Sequence, residues 1–165
     1  MGCRHQAFLI ARIVPHGSTD GKAYYRCIGA YHHHWCSQTQ PHSVLNNFLT
    51  LLKQPVNAAI VREEVKSVQG KYGRYGSQEP IIPNAPCPYS LFLLGTEYCI
   101  DFEEQRYTNR PFEGSLLESC MGCWKGDNDD GITIIDITNP LNPSYAFLKN
   151  ETTEPLNSRK YWDTY

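Results

Sequence analysis

Residues 31–36, Tyr-His-His-His-Trp-Cys, bring three imidazoles and a thiol into one short stretch. On an extended strand alternate side chains share a face, so His32, His34 and Cys36 point one way and Tyr31, His33 and Trp35 the other. A His-x-His step on a strand lets two imidazoles converge on one ion while further ligands arrive from neighbouring elements. Cys120-x-x-Cys123 has the spacing of half a zinc knuckle or of a redox pair. The candidate metal set is therefore His32, His34, Cys120 and Cys123, with Cys36 as an alternative ligand and zinc as the cofactor. The plainer reading leaves the histidines hydrogen-bonded within a strand and the two cysteines packed in a helix.

A second constellation lies at 97–103. Read as a strand, this stretch sets Glu97, Cys99, Asp101 and Glu103 on one face and Tyr98, Ile100 and Phe102 on the other. Placed beside the histidine row, it predicts an acid–base site in which His32 and His34 exchange protons while Glu97 and Asp101 fix their tautomers. Tyr31, Trp35, Cys36 and Cys99 are then the ligand-binding residues. A thiol there would need a base or a positive field to become a nucleophile. The expected function is a small-molecule enzyme (lyase, isomerase or hydrolase) or binding protein. The alternatives are a non-catalytic protein-interaction module with structural cysteines, and a zinc-stabilised module using Cys120 and Cys123.

Other motifs carry less. "GDNDDG" at 126–131 puts glycine at the first EF-hand ligand position and Ile137 at the last, so it reads as a turn. "MGCR" would need an extra cleavage to expose Cys3 as an N-terminal nucleophile, and Gln6 stands where an acylation motif wants Ser or Thr. Phosphate-loop, dinucleotide and nucleophile-elbow signatures are missing from the sequence.

The elements that must position these groups follow from periodicity and turn chemistry. "QAFLIARIV" suits a strand buried on both faces, and "PHGSTDG" turns it into a second strand through residue 35. "SQTQPHSVLNNFLTLLKQ" has helical spacing with Val44, Leu45, Phe48, Leu49, Leu51 and Leu52 inward, and Pro55 interrupts it. A second helix runs to Gly70 with Ile60, Val61, Val65 and Val68 inward. Residues 71–88 read as a long surface loop, "YSLFLLGTEYCIDFEE" as a strand, "PFEGSLLESCMGC" as a short helix, and 132–148 as two strands around a Pro-punctuated connection. The predicted class is α+β, a mostly antiparallel sheet with two or three helices packed on one face. Residues 1–150 form the single domain, and 151–165 a polar tail that Tyr161, Trp162 and Tyr165 could dock.

At 165 residues the chain can bury a core without metal or disulfides. A net charge of −2 with dispersed basic residues argues against nucleic acid as a partner. The first apolar run is too short for a signal peptide or a membrane span, so no membrane partner and a cytoplasmic setting are expected. The odd set of seven cysteines suits reduced thiols. Eleven tyrosines make a homodimer or a protein partner the natural alternative to a small-molecule ligand. In the order "MGCRHQAF", "YHHHWC", "PYSLFLLGTEYC", "GDNDDGITIIDI", the chain resembles short proteins of filamentous fungi that carry no assigned activity. That resemblance spans most of the chain and implies a fungal intracellular setting.

Overall fold

The computed structural model describes residues 4–34, 36, 39–73, 83, 85–96, 100–101, 106–107, 114–117, 131–149 and 154–163. Strands β1 (Arg4–Ile13) and β2 (Tyr24–His34) form the expected antiparallel hairpin, in register from Arg4↔His34 to Ile13↔Tyr24. The register shifts between Leu9 and Ile10, which leaves the fully buried Ile28 as the extra residue of a β-bulge.

The far edge of β1 takes β6 (Ile132–Asp136) in parallel, and β6 takes β7 (Ser144–Leu148) antiparallel. Strand β5 (Gly114–Leu117) pairs antiparallel with β2, giving a five-stranded sheet in the order β5-β2-β1-β6-β7. Strands β3 (Ile100–Asp101) and β4 (Arg106–Tyr107) form a separate two-stranded sheet. The fold is α+β, its sheet antiparallel except where β1 meets β6.

Helices α1 (Gln40–Leu52), α2 (Pro55–Ser67) and α3 (Pro88–Thr96) cover one side of that sheet, and α4 (Ser158–Trp162) lies near its β7 edge. Ala7, Leu9, Ala11 and Ile13 of β1 join Leu45, Phe48, Leu52, Val61, Val65 and Leu94 in one core. On the opposite face Gln6 is buried, Phe8 and Ile10 are half-buried and Arg12 is exposed, so from Phe8 onward β1 is covered on one face and not on both. Pro55 opens α2 at a position where its missing N–H costs nothing. Ile60, expected inward, is 39% exposed. The expected loop at 71–88 falls mostly outside the described residues.

Two expectations are overturned. The apolar stretch after Pro88 is the helix α3 and not a strand; an apolar run has no periodicity to separate the two states. The Glu64 carboxylate of α2 accepts from the backbone N–H of Tyr89 (2.6 Å) and Ser90 (2.8 Å) and from the Ser90 hydroxyl (2.7 Å), satisfying the first turn. Gly29 on β2 makes room for this helix: a Cβ there would stand 2.6 Å from Leu91 Cδ2 and 2.8 Å from its Cγ. The "GSLL" stretch, expected within a short helix, is β5, because β2 offers it an open ladder. Among the described residues no helix is long and apolar enough to cross a membrane.

Candidate functional site

The register that closes the hairpin places His5 directly opposite His33, and two residues on, Ala7 opposite Tyr31. All four sit on the helix-covered face, because Ala7 continues the buried row of β1. His5 is 1% and His33 2% exposed, unusual burial for imidazoles. Their rings are 6.2 Å apart and within 19° of parallel. Parallel pairing with β6 brings in Thr133, itself buried, whose Oγ1 shares a 2.7 Å hydrogen bond with His5 Nε2. On the other side His33 meets the Tyr31 ring at 4.6 Å. Tyr31 in turn lies against Gly95 near the end of α3, where an added Cβ would stand 3.1 Å from Tyr31 Cε2. The sequence thus delivers a row running Thr133, His5, His33, Tyr31, Gly95, the first three buried and the last two half-buried.

Burial holds the His33 ring well below the ordinary imidazole range, and the neighbouring His5 and His32 add to the effect. His33 is therefore uncharged at neutral pH, able to donate from one ring nitrogen and accept at the other. Elsewhere burial, reinforced by the Glu64 carboxylate, pushes the Cys87 thiol up to about 12, which rules it out as a nucleophile at neutral pH. Burial likewise pushes the Tyr72 hydroxyl upward while it donates to the Cys27 carbonyl at 3.0 Å.

The expected residues fall out as follows. Alternation holds along β2, but the buried face is that of Tyr31 and His33, whereas His32 is half-buried on the opposite face beside Gln6. Cys36 is fully buried. His34 pairs with Arg4 in the ladder, and its side chain lies outside the described residues. Trp35, Glu97, Cys99, Glu103, Cys120 and Cys123 also lie outside them. Asp101 belongs to β3, whose ladder partner is β4, while the neighbours of β2 are β1 and β5. Of the expected acidic row only Asp101 is described, and its strand does not pair with β2. Among the described residues no three potential metal ligands converge.

His5 and Thr133 escaped the sequence reading. His5 could have been found by folding the hairpin about its turn, which sets it against His33. Nothing local marks Thr133, since a parallel pairing across more than a hundred residues leaves no periodic trace.

The outer face of the sheet carries an open trough of about 180 Å³ between Tyr25, Ile10, Ile134, Asp136 and Ser144. The Asp136 carboxylate is occupied there, accepting from the Thr138 backbone N–H at 2.9 Å and from its hydroxyl. No protein-family model, curated protein or solved structure matches the chain.

Proposed function

We propose that this protein binds a small molecule at the end of the sheet marked by His5 and His33 and performs acid–base chemistry on it. One observation carries the reading: two imidazoles, nearly removed from water, are held face to face by strand register, with His5 anchored by Thr133. Burying polar rings in a mostly apolar layer costs free energy, and functional sites are where folds tolerate that cost. His33 is the candidate base and His5 its oriented neighbour, with Tyr31 as the wall towards α3. Glu97, which follows α3 in sequence, is the carboxylate to combine with them, and His32 lies on the opposite side of β2.

The experiment is an NMR titration of the full chain with a fragment panel of small carboxylic acids, amides and sugars, read at the ring signals of His5 and His33. Fragments that move both rings, and lose that effect in His33→Phe, support the reading. A panel that leaves both rings unmoved overturns it.

A further inference from the structure

Strand β7 ends the five-stranded sheet, and among the described residues its outer edge pairs at Phe147 with Leu156. Phe147 exchanges two backbone hydrogen bonds with Leu156, at 3.0 and 2.8 Å, and α4 follows directly. Asn157 caps α4 by accepting from the Lys160 N–H at 2.9 Å. Five residues are far too few for a helix to hold by itself, so side-chain docking must keep it in place.

The docking is aromatic. Tyr161 is fully buried and stacks on Phe147 with centroids 4.4 Å apart and planes 17° apart. His42, from the first turn of α1, sits against this stack: 4.6 Å from the Phe147 ring, 5.4 Å from Tyr161 and 5.6 Å from Trp162, the last edge-on. Its ring touches β7 and α4 together, so three separate elements meet at one imidazole.

We propose that His42 is an acid-sensitive latch, whose protonation releases residues 154–163 from the β7 edge. His42 Nε2 is shielded from water and meets no hydrogen-bond partner among the described residues. A neutral ring leaves that nitrogen bare, which aromatic surroundings tolerate; a second proton creates a charged donor with nothing to accept it. Burial holds the ring's proton affinity below the ordinary range, with the Ser158 backbone pulling more weakly the other way.

The charged groups on the elements packed against the ring are Arg159, Lys160 and Asp163 around α4, Glu154 ahead of it and Lys149 after β7; α1 contributes none. Tyr161 and Tyr145 are the other titratable groups there. His42 is the one imidazole among these described groups, and imidazole is the side chain whose charge ordinarily changes between neutral pH and pH 5. Release uncovers the Phe147 amide and carbonyl, turning a closed edge into an open one.

The test is amide hydrogen exchange by NMR on the full chain, with Trp162 fluorescence, between pH 7.5 and 4.5. Protection at Leu156 and Phe147 should fall about tenfold for each unit by which docking depresses the His42 pKa, over and above the smaller fall that the Leu9 amide of β1 shows as global stability declines with His33. His42→Phe should keep the strap protected at pH 5. Unchanged protection in the wild type, or an equal loss in His42→Phe, overturns the latch. Should His42→Phe disturb docking at pH 7, the wild-type ring titration decides: protection lost at a midpoint away from that of His42 overturns it too.

Discussion

His5 and His33 face each other across the β1–β2 pair, rings 6.2 Å apart, inside a sheet–helix layer that is mostly aliphatic and aromatic. Neither ring owes its position to a loop. Strand register fixes both, so the pair is as rigid as the hairpin that carries it.

The first prediction concerns pH. An unfolded chain binds a proton on His33 below about pH 6.5, whereas the folded chain resists it, so stability from this group is complete above that pH and declines as pH falls. The decline amounts to about 1.4 kcal/mol for each pH unit between the two pKa values. Urea midpoints at pH 7.5 and 5.0 should differ less in His33→Phe than in the wild type. A remaining slope is expected, because His42 is depressed in the same direction.

Gly29→Ala tests how closely α3 lies on β2. The new methyl would sit 2.6 Å from Leu91 Cδ2 and 2.8 Å from Cγ, too close for a rotamer change at the tip to relieve. A loss of about 1–3 kcal/mol is expected by chemical denaturation. Gly29→Ala combined with Leu91→Ala should cost less than the two losses added together.

Glu64 tests the start of the same helix. Glu64→Ala leaves the N–H groups of Tyr89 and Ser90 without their acceptor and should cost about 1–3 kcal/mol. Iodoacetamide labelling followed by mass spectrometry gives a second readout. Cys87 should react slowly in the wild type, where its thiol is held up to about 12, and faster in Glu64→Ala as the helix start opens.

The hairpin, α1 and α2 were legible because each repeats a local signal: alternation around an Asp-Gly turn, or apolar residues on one helical stripe with proline at the start. Helix α3 was not, because Leu91, Phe92, Leu93 and Leu94 offer apolar surface in every direction, and the features that fit it to the fold, Gly29 beneath it and Glu64 at its start, lie far away in sequence. Strand β5 was not, because "GSLL" is set by the open edge of β2 and not by its own propensity. The partition of Tyr31 and His33 from His32 followed from alternation alone. Which side is buried was readable from β1, whose row of Ala7, Leu9, Ala11 and Ile13 is wholly apolar while the alternate row contains Gln6 and Arg12. The contribution of Thr133 depended on the β1–β6 pairing, which no local window contains.

That same pairing has a consequence for how the protein is made. Strand β1 is made ahead of both its partners; β2 follows after a ten-residue connection, but the second edge of β1 waits for Ile132–Asp136. At about 5–20 residues per second, the wait is on the order of ten seconds. Throughout that interval the row from Gln6 to Ile10 is an unpaired, largely apolar template that any passing strand can extend. The second edge of the central strand is thus closed only by a segment made more than a hundred residues after it.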